Sequence, residues 1–330
     1  SRYYLRYLFP EPPVGESLMK RLAVLWMFAV LFAGPMLALP ATASAQVSVG
    51  ISVQVGPPLI PVYPQPFAPG PGFIWAPGYW GYGPYGYYWV PGTWVLAPRV
   101  GFLWTPGYWG WRGGFYWWHP GYWGSRVGFY GGINYGYGYA GVGYVGGYWR
   151  SGAFYYNRAV SQVNVTYIHN TYNQTVVNNN TTVNRVSYNG GEGGTTVQPT
   201  VEQQAFAREQ HVAPTAAQIH QERLAMNNPA QRFSANQGRP EIAATAKPGK
   251  FKGPGVVRMN RTKGTYAYHP AKRDRAVYQN ERQAEKSGLG RSDHTNQERH
   301  EYGQPHAHEQ KHNPEHEHHR PGGPPQEVIP

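Results

Sequence analysis

Between Phe73 and Trp123 the chain writes one aromatic phrase four times, F/Y-x-W-x-P-G-Y/T-W, as FIWAPGYW, YYWVPGTW, FLWTPGYW and YWWHPGYW. The leading tryptophans stand at 75, 89, 104 and 118, so the steps are 14, 15 and 14 residues. Such steps are too short for a helical hairpin or a propeller blade, and they suit one strand plus one turn. A degenerate fifth copy ends at Tyr148 and Trp149. Proline inside each phrase has no N–H to give a neighbouring strand. Strict alternation would set Trp75 and Trp80 on opposite faces, and a one-residue bulge at Pro77 and Gly78 would return them to one face. The structural turn residues are therefore Pro77, Gly78, Pro91, Gly92, Pro106, Gly107, Pro120 and Gly121, with positive φ expected at the four glycines. Turns are expected at 81–86, 97–101 and 112–114, which makes the fold class mainly β, an antiparallel meander of four or five strands over 72–156.

Charge divides the chain more sharply than hydropathy. From Gln46 to Gly191 there is no Asp, Glu or Lys, and the charged side chains are Arg99, Arg112, Arg126, Arg150, Arg158 and Arg185. A module with cations and no acid of its own should draw anionic partners. Cysteine is absent, which rules out disulfides and a lipid-bearing cysteine. Packing alone must hold the module, and its aromatics can supply it, since each buries about 150 to 250 Å².

The segments around the repeats differ in physics. Lys20 and Arg21 precede an apolar run from Leu22 to Gly34 that leads to Ala43, Ser44 and Ala45. This predicts a signal peptide over 19–45, cleaved between Ala45 and Gln46, with Met19 as the start and 1–18 as translated leader. Residues 46–71 are a valine- and proline-rich lead-in with one strand. Glycine and tyrosine alternate over 127–156, which either extends the sheet or forms a flexible low-complexity stretch, and 157–191 is an Asn/Thr/Val-rich β-prone stretch. Its Asn-x-Ser/Thr triplets at Asn164, Asn173, Asn179 and Asn180 carry little weight in so Asn/Thr-rich a context. Thr200 with Gln203 and Thr215 with Gln218 are spaced as capping boxes, which predicts two short helices, 201–211 and 216–226, within 192–228. Residues 229–330 are basic, His-rich and poor in large apolar side chains, and are expected to be disordered.

WAPGYW, WVPGTW, WTPGYW and WHPGYW resemble the YXWGXW (WxxGxW) repeat of exported bacterial envelope proteins. The resemblance covers about 80 residues and implies export, to the periplasm, the outer-membrane periphery or the exterior of a Gram-negative cell. It implies no particular chemistry.

Chemical inventory excludes most enzyme classes. Paired carboxylates for glycoside cleavage cannot be built in a module without carboxylates, and a Cys-His nucleophile needs cysteine. His119 takes the variable position before Pro120, as Ala76, Val90 and Thr105 do in the other copies, and is expected to be an exposed strand residue. No catalysis and no cofactor are expected. His306, His308, His312, His316, His318 and His319 gather with Glu309, Glu315 and Glu317 in the last 25 residues, a weak metal-binding candidate or simply a solvated tail. Three roles stay open for Trp75, Trp80, Trp89, Trp94, Trp104, Trp109, Trp118 and Trp123. They could form the core, or stack on the sugar rings of envelope polysaccharide or peptidoglycan while Arg99, Arg112 and Arg126 grip anions, or seat the module at a membrane surface. Nucleic acid is not expected as a partner of an exported chain, and after Ala45 no run reaches spanning length. The leading expectation is a structural or adhesive envelope protein, with a periplasmic metal binder acting through the tail as the alternative.

Overall fold

The computed structural model describes residues 50–175 and 185–287; the signal segment and the histidine-rich end lie outside the described residues. The repeats are strand-forming as expected, and their pairing shows what the unit is. Phe73–Ala76 (β2), Tyr79–Gly83 (β3), Gly86–Val90 (β4) and Gly92–Leu96 (β5) make one long hairpin in which β3 pairs β4 and β2 pairs β5. Leu103–Thr105 (β6), Tyr108–Arg112 (β7), Phe115–His119 (β8) and Tyr122–Gly124 (β9) make a second, with β7 on β8 and β6 on β9. Two phrases thus build one hairpin, one phrase to each arm. Copies one and two pair, as do three and four, while two and three do not, so the expected continuous meander becomes two hairpins.

The Pro-Gly steps interrupt both arms at the same height. Ala76 faces Thr93 and Tyr79 faces Val90, so the two arms have equal length and no bulge forms, contrary to the expectation at Pro77 and Gly78. Proline breaks the ladder on both sides at once, and the freed backbone groups find other partners. Buried Gln231 donates to Trp89 O at 3.1 Å, buried Gln221 donates to Pro91 O at 2.9 Å, and Gly78 N donates to the Tyr63 hydroxyl at 3.2 Å.

The hairpins join different sheets on opposite sides of the break, the first through its base strands and the second through its tip strands. Strand β5 runs parallel to Ile242–Thr245 (β16), which pairs with Val256–Asn260 (β17), and that pairs with Thr265–His269 (β18). The resulting five-stranded order is β18-β17-β16-β5-β2. In the second hairpin, β8 takes Ser52–Val53 (β1) on one side, and β7 takes Tyr188–Asn189 (β15) on the other.

Residues 229–287, expected to be disordered, are folded. Ile242, Ala243, Ala244, Val256, Val257 and Tyr268 are buried. Average composition hid this because β16 is made of small residues whose cover comes from the repeat tryptophans; Trp89 Nε1 donates to Ala243 O at 3.0 Å. Both capping boxes form, opening helices Val201–Phe206 (α1) and Ala216–Asn227 (α2). Two further short α-helices, Phe233–Asn236 (α3) and Arg275–Lys286 (α4), follow among the described residues.

The glycine-tyrosine segment is mortar more than sheet. Its strands are short pairs, Asn134–Gly136 (β10) with Tyr139–Ala140 (β11), and Gly147–Arg150 (β12) with Ala153–Asn157 (β13). Tyr139, fully buried, donates from its hydroxyl to Trp104 O at 2.8 Å and lies 3.2 Å from Trp75 O, the equivalent carbonyl of the other hairpin. Burial drives its hydroxyl pKa well above the usual value. In the β-prone stretch 157–191, Thr171–Tyr172 (β14) pairs in parallel with β13, whereas 165–167 is a turn: the Asn164 side chain accepts from Thr166 N at 3.0 Å, an Asx closure that outcompetes the ladder. Asn164 is fully buried and donates to Asp274 at 2.9 Å, a placement that closes it to glycan attachment.

Candidate functional site

Seven of the eight motif tryptophans are core. Trp75, Trp80, Trp89, Trp94, Trp104, Trp109 and Trp123 are buried, and Trp118 is half-buried. Their indole N–H groups are largely spent inside the protein: Trp80 donates to Leu59 O, Trp94 to Pro66 O, Trp109 to Trp80 O and Trp123 to Gln218 Oε1, all between 2.8 and 3.1 Å. These rings cannot stack on an external sugar.

The motif's geometry is reciprocal. Trp75 pairs with Trp94 and Trp80 with Trp89, each with ring centroids 5.3 Å apart. The Trp89 ring lies against Gly78 so closely that an added Cβ would sit 2.3 Å from it, and the Trp75 ring lies against Gly92 in the same way at 2.6 Å. The second hairpin repeats the lock: Trp118 covers Gly107 and Trp104 covers Gly121, each at 2.5 Å. None of the four glycines has positive φ, which corrects the turn expectation; glycine is required because an indole and the facing backbone occupy the Cβ space. Positive φ falls at Gly86 in the first hairpin's tip, and at Gly113 and Gly114 in the second's.

Each hairpin also coincides with one copy of a known repeat. Two copies of the WXXGXW repeat model match, over residues 70–95 and 99–123. The chain carries the WXXGXW repeat. One matched WXXGXW copy spans both arms of a hairpin, so in this chain each copy is a closed hairpin with two reciprocal tryptophan-glycine locks. No curated protein and no solved structure matches the chain.

The second WXXGXW hairpin exposes a row of side chains on one face. In the second hairpin Arg112 pairs with Phe115, Gly110 with Trp117 and Tyr108 with His119, and directly opposed residues share a face. Arg112, Phe115, Trp117 and His119 are exposed, Trp117 at 40%. Alternate residues on one strand recur at about 6.5 to 7 Å, so β8 presents three rings in a row with a guanidinium across from the first. The Trp117 N–H donates to Arg112 O at 3.2 Å, and Gly50 flanks the same ring, which fixes its orientation. His119 stacks flat on Tyr108 with centroids 4.5 Å apart. That cover holds the His119 pKa below its ordinary value, and burial pushes the Tyr108 hydroxyl up to about 12.

Arg112 has no carboxylate within ion-pair distance among the described residues. The other two candidate arginines stand elsewhere. Arg99 lies in the loop between hairpins, 5.8 Å over the Phe102 ring, and Arg126 pairs with Glu209 at 3.1 Å while covering Phe206. The module therefore borrows an acid from beyond residue 191, and Arg126 is neutralised. Trp111 and Phe115 stand outside the repeated phrase and Trp117 fills a variable position within it, so the repeat does not single them out. The signal available was their place: F-x-W-x-H alternates next to Gly113-Gly114, at the tip farthest from the locks.

Among the described residues no group of three or more His, Asp or Glu is arranged to hold a metal. The tail histidines lie outside the described residues. Among those residues, too, no helix is long and apolar enough to cross a membrane.

Proposed function

We propose that this is an exported, non-enzymatic envelope protein that holds anionic polysaccharide on the open face of its second hairpin. One observation carries the proposal: Phe115, Trp117 and His119 form an exposed row beside an unneutralised Arg112, on a sheet whose equivalent face elsewhere is covered. Flat rings offer apolar faces to pyranose rings, and a free guanidinium selects carboxylate or phosphate. The signal-like segment before Gln46 supports export, and the WXXGXW repeat is in keeping with it.

The test is a pair of isotherms for the full chain against one acidic and one neutral polysaccharide of similar ring structure. The acidic polymer should bind more tightly, Trp117→Ala should weaken it at every salt concentration, and Arg112→Gln should weaken it chiefly at low salt, because exposed charges are screened beyond about 10 Å at 0.1 M. Equal affinity for both polymers, or binding unaffected by Trp117→Ala, would defeat the proposal. Fractionation of the host cell checks export separately.

A further inference from the structure

The geometry points to a second binding site, a cleft for one oxyanion-bearing group of monosaccharide size, between α3 and the β17–β18 turn. The cleft has a volume of about 310 Å³ and is bordered by Arg239, Arg261, Met259, Ala230, Ala235 and Glu241. Ligand pockets run from roughly 300 to 1,000 Å³, so this one suits a single ring and little more.

Its electrostatics are one-sided. Glu241, the one acid on its wall, is held by Arg258 at 2.7 Å, and Arg258 also donates to Phe251 O. Arg239 and Arg261 are exposed and have no carboxylate partner among the described residues. The cleft thus offers two free guanidiniums against one neutralised carboxylate. Guanidinium forks match the planar geometry of carboxylate and phosphate. Met259 and the two alanines add the apolar lining that a ring face needs.

The local backbone aims these groups. Gln237 closes α3 in a left-handed conformation, φ 49°, its N–H bonding Phe233 O at 2.8 Å, and Gly238 follows at φ 83°. This turn sends the chain out to Arg239 before Pro240 returns it towards β16. On the facing turn, Gly264 has φ 63° and no side chain, which leaves the space beside Arg239 open. The cleft is built from the segment beyond the repeats and stands independently of the aromatic face of the second hairpin.

The shared chemistry is an oxyanion on a sugar ring, with two sources, a uronic acid carboxylate and a sugar phosphate. The experiment titrates the full chain with glucuronate, glucose 6-phosphate and glucose, read by chemical-shift changes or calorimetry. Both anions should bind and glucose should bind at least tenfold more weakly; the tighter anion names the source. Arg239→Ala and Arg261→Ala should each weaken anion binding about tenfold, whereas Lys263→Ala, which removes the same charge from the same turn outside the cleft, should change it less than twofold. Unchanged melting curves verify that the variants fold, as expected for exposed side chains. Equal effects of Lys263→Ala and Arg261→Ala, glucose binding as tight as the anions, or no binding of either anion would each overturn the site.

Discussion

The two hairpins are built from the same phrase, yet one face of that phrase is closed in the first and open in the second. In the first hairpin, Tyr88 and Val90 are buried under Ala225 and Met226 of α2, with Phe251 alongside. In the second, the counterparts of Tyr88 and Val90 are Trp117 and His119, and nothing among the described residues lies over Trp117 as α2 lies over Tyr88. The lock is common to both hairpins, so the fold is written in WxxGxW, while the residues between lock and tip decide whether a face packs or stays free. Tyr88 can reach Glu222 of α2 with its hydroxyl at 3.3 Å; Trp117, with only an N–H to offer, turns it to the neighbouring backbone.

The sharpest way to break this comparison is to cut equivalent rings. Trp89→Ala in the closed hairpin should cost about 4 kcal/mol, since it empties a fully buried site and orphans Ala243 O. Trp118→Ala, its half-buried counterpart, should cost roughly half as much. Chemical denaturation checks both, and equal losses would mean that the second hairpin is as closed as the first.

The lock itself is tested next. Gly78→Ala should destabilise by about 2 to 3 kcal/mol through overpacking against Trp89. In a Trp89→Ala background the same change should cost at least 1 kcal/mol less, a coupling that a double-mutant cycle measures. Additive costs would show that the backbone contact, 2.9 Å to Gly92 N, dominates over the indole.

Much of this was legible beforehand. The tryptophan spacing, the tip turns and both capping boxes follow from residues three to fifteen apart, where local geometry dominates. The glycines were located correctly and explained wrongly: φ is a local property, but the Trp89 ring that fills the Cβ space of Gly78 arrives from the other arm. The same limit hid β16, whose alanines look unfit for a core until Trp89 is laid beside them. It also hid the open face, because Phe115, Trp117 and His119 and their first-hairpin counterparts Gly86, Tyr88 and Val90 differ in what packs on them rather than in their own periodicity.

Smaller effects separate stability from binding. Trp117→Ala should change stability by less than about 0.5 kcal/mol, as for an exposed position, while weakening the acidic polymer severalfold. Tyr88→Ala should do the reverse, losing about 2 to 3 kcal/mol with no effect on binding. The smallest effect is the pH dependence of the helix cover. Burial raises the Glu222 pKa above its usual 4.5, against the lowering influence of the Tyr88 and Tyr79 hydroxyls. A carboxyl so shifted stabilises the fold below its unfolded pKa, and that contribution is lost as pH rises through the folded value. Melting temperature should therefore fall on going from pH 4.5 upward by more in the native chain than in Glu222→Gln, and identical profiles would remove Glu222 from the cover.

The reciprocal lock imposes a parity rule on the architecture. Each indole needs a glycine on the other arm, so a phrase standing alone has a ring with no seat and a gap with no ring. Growth by one phrase, some 14 residues, would leave both defects, whereas growth by 29 residues inserts a self-contained block. The degenerate fifth copy fits this: with no sixth phrase to pair with, it carries neither a leading tryptophan nor a proline, and its Trp149 spends its N–H on Phe102 O at 2.9 Å. Proteins assembled on this plan should accordingly lengthen in even counts, and an odd phrase should be found eroding at the end of the array.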